Sequence, residues 1–262
     1  MINASMSPKA AREYIRTNAP LATTSGLCPG FAQANLMIME EQYAHAFLKF
    51  CVANPKACPI LHVSEPGDPF PTELGEHIDV RTDVPGYRVY RHGALDTEVL
   101  DISALWQDNF VSFYIGCSFS FEESLVQHGV GVRHIEAGTN VPMYRTNIPL
   151  KSVAPFHGEL VVSMRAMRSS DAIKAVQITT NMSKVHGSPV HIGAPEHIGI
   201  TNFAQPEFGD PPIVQDTDIT SFWACGVTSQ LAAMNAKLPI AITHSPGKML
   251  ITDRQNWELE YS

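Results

Sequence analysis

Residues 33–63, QANLMIMEEQYAHAFLKFCVANPKACPILHV, contain the pattern from which the class of fold can be predicted. Five of the first seven residues of this segment are apolar, and residues 36–39 form a continuous apolar run, which is typical of a buried strand. Residues 40–53 repeat apolar side chains at helical spacing: Tyr43, Ala44, Phe47, Leu48, Cys51 and Val52. Asn54-Pro55 ends this helix, and residues 59–63 form the next strand. A strand, a helix and a second strand at this spacing predict a parallel crossover unit and an α/β protein.

Further helices and strands alternate on both sides of this unit. Helices are predicted at residues 7–18, 101–107, 120–128, 170–182 and 228–237. Strands are predicted at residues 78–81, 87–90, 110–115, 132–136, 143–148, 160–164, 221–225 and 240–243. We expect a layered αβα domain formed by residues 1–131 and 213–262, interrupted by a smaller α+β two-layer domain at residues 132–212.

Composition excludes several classes of protein. The net charge of −8 and the lack of Lys/Arg-rich windows argue against nucleic-acid partners and anionic membranes. No apolar run approaches a membrane span, and the N-terminus lacks the apolar core of a secretory signal. The five cysteines are widely spaced, which fits reduced thiols in a cytoplasmic protein. The sequence leaves a homodimer open.

The segment Gly116-Cys117-Ser118 joins a buried strand to a helix, and Ser120 with Glu123 resembles a capping box. Such a bend exposes backbone N–H groups at the positive end of a helix, where a carboxylate or oxyanion can bind. Cys117 stands where a nucleophile would, so it is a candidate catalytic residue. Alternatively, Cys117 is a small buried residue and Ser118 a turn residue.

Residues 221–237 repeat the plan of residues 110–128: an aromatic strand, a bend with a cysteine and a helix. The second bend is Cys225-Gly226-Val227-Thr228, where Thr228 either binds ligand or only caps the helix. The repetition suggests an internal duplication.

A third candidate cluster follows at residues 132–147. In a strand, Val132, His134 and Glu136 point to one face, whereas Arg133 and Ile135 point to the other. The run Tyr144-Arg145-Thr146-Asn147 comes shortly after. Together these residues offer a base, an acid and a carboxylate-binding guanidinium. The alternative is a surface strand whose polar face is only solvated.

Histidines in Gly/Pro-rich loops could hold a metal, among them His186, His191 and His244, with Glu136 or Asp253 as partners. Their spacing matches no metal-binding motif, and phosphate loops, dinucleotide fingerprints and nucleophile elbows are also missing. We therefore expect no metal and no organic cofactor.

Seven strings, in order, carry a resemblance to a known family: Gln33-Ala34-Asn35-Leu36, Asn54-Pro55-Lys56-Ala57-Cys58-Pro59, residues 81–90, residues 115–122, residues 141–147, residues 186–193 and residues 222–228. Together they resemble the bacterial hydro-lyase family that is grouped with D-glutamate cyclase, over about residues 24–253. Two departures are Cys28, where relatives have Ala, and Ala166, where a Pro usually follows the arginine.

The resemblance implies a carbon–oxygen lyase that reversibly dehydrates D-glutamate to 5-oxo-D-proline, or acts on a related small carboxylic acid. We expect Arg145, then Arg165, to bind the α-carboxylate, with Asn147 beside them. His134 and Glu136 would exchange protons, and the Cys117–Ser118 backbone with Thr228 would hold the reacting carboxyl group. Two alternatives remain: a non-catalytic module that binds an amino acid or lactam, and a metal-dependent amidohydrolase that uses the loop histidines.

Overall fold

Two antiparallel β-sheets and six α-helices make up residues 6–259, the part of the chain that the computed structural model describes. The helices are α1 (Pro8–Ile15), α2 (Glu41–Ala53), α3 (Phe119–Gln127), α4 (Arg133–Ala137), α5 (Ser169–Thr180) and α6 (Val227–Ala236). The strands are β1 (Phe31–Glu40), β2 (Ile60–Val63), β3 (Tyr87–Arg91), β4 (Ala94–Val99), β5 (Phe110–Gly116), β6 (Met143–Pro149), β7 (Glu159–Arg168), β8 (His191–Ile192), β9 (Asp218–Ala224), β10 (Ala241–His244) and β11 (Leu250–Gln255). None of these helices is long and apolar enough to cross a lipid bilayer.

The first sheet contains the strand–helix–strand unit and has the order β2-β5-β1-β10-β3-β4. Since β5 is antiparallel to both β1 and β2, these two strands point the same way, as a crossover requires. The two strands do not pair with each other, because β5 lies between them, and all pairs in the sheet are antiparallel. All seven residues of β5 are buried, which fits a strand inside a sheet covered on both faces.

The other edge of β1 is divided between two strands. Met37 pairs with Thr243 of β10, whereas Ala34 pairs with Leu250 of β11. Between these pairings, the Leu36 N–H donates a hydrogen bond of 3.0 Å to Nδ1 of His244. The change of partner thus places an imidazole and the loop of residues 245–249 beside the middle of β1.

The second sheet has the order β6-β7-β9-β8, and it packs against the first through a shared hydrophobic cluster. Buried members come from both sheets and from α2, among them Met37, Phe47, Phe113, Val162, Tyr144 and Phe222. The chain is thus a layered mixed α/β protein. Because β9 begins at Asp218, the second sheet extends past residue 212, and the division into two domains stays a prediction.

Several local predictions are wrong. Residues 132–136 are not a strand, because α4 occupies Arg133–Ala137 and ends at Gly138 in a left-handed conformation, with φ of 66°. Residues 78–81 are not a strand but an irregular segment that ends in a turn, and residues 101–107 contain only the 3₁₀ turn Ser103–Leu105. Strands β4, β8 and β11 lie where no strand was predicted. Four of the six residues of β4 are polar or small and exposed, which explains the lack of a signal for that strand.

Candidate functional site

A narrow cleft lies where the N-termini of α3 and α6 converge. Both helices follow directly on a strand of a different sheet: β5 leads into α3, and β9 leads into α6. The lining residues are uncharged side chains from both halves: Asn35, Cys117, Ser118, Phe119, Asn140, Val141, Met143, Cys225, Gly226, Val227, His244, Pro246, Gly247 and Met249. The cleft has a volume of about 20 Å³, enough for one water-sized group.

The two bends that form the cleft share more than a sequence plan. The second residue of each helix uses its hydroxyl to accept a backbone N–H from the strand beside its own. Ser120 Oγ accepts from Gln33 of β1 at 3.1 Å, and Thr228 Oγ1 accepts from Val161 of β7 at 3.1 Å. This matched geometry agrees with the duplication suggested by the sequence. It also means that the Thr228 hydroxyl already has a structural hydrogen bond.

Neither helix has a side-chain cap at its N-terminus. Within residues 6–259, the backbone N–H groups of Ser118, Phe119, Gly226 and Val227 have no backbone acceptor. The Phe119 N–H interacts with the Cys117 thiol, and those of Gly226 and Val227 interact with the Cys225 thiol. The predicted capping box is wrong, because Glu123 accepts instead from the Gly30 N–H and from Asn256. The cleft therefore gathers two positive helix ends whose donors can bind a carboxylate or an oxyanion.

The thiols of Cys117 and Cys225 lie at these helix ends but are poor nucleophiles. Burial raises the pKa of Cys117 to about 12, although the Phe119 N–H acts in the opposite direction. Burial likewise raises the pKa of Cys225 to about 11. Both thiols are therefore protonated at neutral pH, which disfavours covalent catalysis through Cys117.

We expect Cys117→Ala to keep kcat within about tenfold of wild type, because a backbone anion site does not need the thiol. Turnover of D-glutamate, the substrate that the family resemblance implies, tests this when it is measured beside a Cys225→Ala control. A loss of about 10³-fold or more with substrate binding intact would instead indicate a nucleophilic Cys117.

Besides the two thiols, His244 is the titratable side chain in the lining of the cleft. Its Nδ1 lies 3.0 Å from the Leu36 nitrogen and 3.4 Å from the Leu36 oxygen. The shorter contact involves an N–H that can only donate, so Nδ1 is the acceptor and Nε2 carries the proton. Burial lowers the pKa of His244 to about 4, with a further lowering by the charge of Arg88. The ring is thus neutral at pH 7, with its N–H at Nε2. The side-chain amide nitrogen of Gln230 on α6 lies 3.4 Å from Nε2.

Gly226 packs directly on the amide of Asn35, and a Cβ at Gly226 would lie 2.3 Å from Asn35 Nδ2. The same Nδ2 donates to the Gly116 carbonyl at 2.8 Å, at the end of β5. The Asn35 side chain therefore lies between the two bends and sets their separation, and only a glycine fits at position 226.

Gly226→Ala should lower kcat/KM by about tenfold or more and the free energy of unfolding by about 1–3 kcal/mol, because the methyl group displaces Asn35. Gly131→Ala is the matched control, since its added methyl meets only the exposed and flexible Glu136 side chain. Steady-state kinetics and denaturant titration of both variants test this. Wild-type behaviour of Gly226→Ala would show that the spacing is not critical.

Beneath the cleft, three buried ionisable side chains meet: Glu122 of α3, His134 of α4 and Arg165 of β7. Arg165 Nε donates to Glu122 Oε1 at 3.0 Å, and His134 Nε2 lies 3.1 Å from the same oxygen. The histidine contact is close but not well directed for a hydrogen bond. Burial alone would raise the pKa of Glu122, but the charges of His134 and Arg165 outweigh it and lower the pKa to about 2.

The structure brings Cys117 and Ser118 to the cleft and leaves the other expected residues outside its lining. Arg145 and Asn147 are exposed on β6, and Arg145 lines a separate open depression with His157 and Asn235. The shared face expected for His134 and Glu136 does not exist, because α4 is helical: His134 is buried and Glu136 is exposed. Their roles in catalysis and those of Arg145 and Asn147 in binding stay predictions.

The remaining histidines lie apart from the cleft. His186 is buried, with Nδ1 2.9 Å from the Lys56 carbonyl, and His191 Nε2 lies 2.8 Å from the Ala194 carbonyl. In the described part of the chain, no three His, Cys, Asp or Glu side chains are grouped to hold a metal ion. His244 was foreseen only as a loop histidine, because its position depends on the change from β10 to β11. Asn35 and Asn140 were not foreseen as site residues.

Comparison with known proteins gives the family. The model of the D-glutamate cyclase family matches residues 111–253, which include both bends. A relative from Burkholderia cenocepacia and another from Burkholderia lata are each 55% identical over 254 residues, covering 97% of this chain and 99% of the relative. One from Verminephrobacter eiseniae is 52% identical, covering 96% of this chain and 92% of the relative. All three are named "Putative hydro-lyase". The chain belongs to the D-glutamate cyclase family.

Proposed function

We propose that this protein is a cytoplasmic hydro-lyase that closes D-glutamate to 5-oxo-D-proline with loss of water, and opens the lactam in the reverse direction. The observation that carries the proposal is the meeting of two uncapped helix N-termini and a neutral histidine in one cleft. Membership of the D-glutamate cyclase family supports the substrate class.

Glutamate carries two carboxylates, and the cleft offers two helix ends. The reacting carboxyl group is assigned to the end of α6, because His244 lies near Gln230 of that helix. The α-carboxylate is assigned to the end of α3, at Ser118 and Phe119. Backbone N–H groups and helix dipoles then supply the attraction that a lining without Lys or Arg does not.

Closure starts when the ammonium proton has passed to the distal carboxyl group. The neutral amine then attacks the carbon of that group, which gives a tetrahedral intermediate with one negatively charged oxygen and one hydroxyl group. The first N–H groups of α6 would stabilise that oxygen. His244 Nε2 would pass its proton to the departing hydroxyl group as it takes up the proton lost by the amine, so that the hydroxyl leaves as water and the ring is neutral before and after the step. One C–N bond forms, one C–O bond breaks, and water leaves.

D-glutamate is larger than the cleft as observed, so binding requires side chains to move. Met143 and Met249 line the cleft, and the flexible methionine side chain yields to a ligand more readily than a branched one. We assign the widening to these two residues and to Phe119.

Proton NMR of the protein with D-glutamate, L-glutamate and both 5-oxoproline enantiomers tests the proposal directly. We expect interconversion of the D-pair, with the same equilibrium ratio from either side. Binding without turnover would favour the amino-acid or lactam-binding module instead. Activity that is lost on chelation and restored by a divalent metal would favour the metal-dependent amidohydrolase.

A further inference from the structure

All three nitrogens of the Arg165 guanidinium group donate hydrogen bonds to other residues of the protein. Besides Glu122, Nη1 donates to Ser163 Oγ at 2.7 Å and Nη2 donates to Ser118 Oγ at 2.9 Å. The guanidinium carbon lies 4.9 Å from the ring centre of Phe121 and 5.4 Å from that of Trp223. Four of its five N–H donors are thus bonded to protein oxygens, and Arg165 is only 3% exposed.

These contacts connect the two halves of the cleft. Ser118 and Glu122 lie one turn apart at the start of α3, which follows β5 of the first sheet. Arg165 lies on β7 of the second sheet and pairs in register with Ser221 of β9, the strand that leads into α6. The guanidinium group therefore links the first turn of α3 to the second sheet, which contains the strand that leads into α6.

A buried ion network gives no general advantage in stability over well-packed apolar side chains, whereas it can fix one geometry. The geometry fixed here is the separation of the two helix ends.

We propose that Arg165 and Glu122, with His134 behind them, are positioning residues: a strut that sets the distance between the N-termini of α3 and α6. The role of this strut in catalysis rests on the proposed function, because the two carboxylates of one substrate need two helix ends at a fixed distance. The distance between the helix ends is set in the free protein and does not depend on substrate.

The test uses the five free cysteines as reporters. Cys117 and Cys225 line the cleft, whereas Cys28, Cys51 and Cys58 are buried elsewhere. Alkylation by iodoacetamide under native conditions, followed by peptide mass spectrometry, gives one rate for each thiol. In the double variant Arg165→Met/Glu122→Gln, which leaves neither charge unpaired, Cys117 and Cys225 should react at least about tenfold faster than in wild type. The other three rates should stay within about twofold.

Two single-serine variants distinguish loss of the link between the two helix ends from a general destabilisation of the protein. Ser118→Ala and Ser163→Ala each remove one hydrogen bond to Arg165, but only the first spans the two halves. Ser118 makes no side-chain cap to α3, so its hydroxyl has no competing structural role there. We expect faster alkylation of Cys117 and Cys225 in Ser118→Ala and wild-type rates in Ser163→Ala.

Equal rates in both serine variants, or a parallel rise at all five cysteines in the double variant, would overturn the strut. Arg165→Lys should behave like the double variant, since an ammonium group lacks the planar set of donors that lets a guanidinium reach Glu122 and both serines at once.

Alkylation needs no substrate, so its outcome stands even if the wild-type protein leaves D-glutamate unchanged. If the wild-type protein does not turn over D-glutamate but the variants show faster alkylation of Cys117 and Cys225 alone, the proposed reaction is refuted and the positioning role of Arg165 and Glu122 is retained.

Discussion

Replacing His244 with glutamine should lower kcat for the closure of D-glutamate by about 10²–10⁴-fold, the usual contribution of a positioned acid or base. Glutamine retains polar atoms beside the Leu36 N–H but cannot pass a proton to the departing oxygen. Because the contact with Leu36 holds the ring, some loss of stability will accompany the change. Kinetics at a temperature where the variant is fully folded separate the two effects.

His191→Gln is the control for this variant, since that ring is half-buried and lies outside the lining of the cleft. It should turn over like wild type. The wild-type rate should also show no His244 titration between about pH 5 and 8, because its pKa is about 4 and the ring stays neutral there. Should His244→Gln keep wild-type turnover, the proton donor lies elsewhere and His134 becomes the next candidate.

The parts of the fold that the sequence predicts are those with local causes. The apolar run of β1, the one-sided pattern of α2 and the fully buried β5 each carry their signal within about a dozen residues. The insertion of β5 between β1 and β2 has no such signal, because it depends on packing among three distant segments. At α4, five residues are too few to separate a period of two from a period of 3.6. Gly138, which ends the helix in a left-handed conformation, was the available clue.

The same distinction applies to the site. Both bends were foreseen, because a strand followed by a small-residue turn and a helix is visible in a short window. Glu122 was not foreseen as the partner of Arg165, since 43 residues separate them. His244 was foreseen only as a loop histidine that could hold a metal, because Leu36, the residue that holds its ring, is 208 residues away. Local patterns locate donors at helix ends, whereas the tertiary fold decides which titratable groups meet them.

Acid should destabilise the protein steeply between about pH 6.5 and pH 4. Burial lowers the pKa values of His186 and His244 from 6.5 to about 4, with Arg165 and Arg88 respectively lowering them further. In that window the unfolded chain binds protons that the folded protein excludes, so the free energy of unfolding falls as the pH falls. Each histidine accounts for about 3 kcal/mol over the full window.

Glu122 does not contribute to this window in the same way. Its folded pKa of about 2 lies below the ordinary value of 4.5, so the stability it adds is present above 4.5 and is lost only in stronger acid. The slope between pH 6.5 and 4.5 is thus expected to come chiefly from the two buried neutral histidines.

Urea titrations at half-unit pH intervals from 7.5 to 4.5 measure this slope. His186→Asn tests the histidine at this position without adding backbone strain, because asparagine tolerates the left-handed backbone there, with φ of 84°. It should lower stability at pH 7.5 but remove about half of the pH dependence, and His244→Gln should remove a similar share. His191→Gln should leave the slope unchanged, since that ring is only half-buried. A free energy of unfolding that is flat across this range would mean that both rings take up protons in the folded state, and His244 could not then be the neutral donor that the proposed reaction requires.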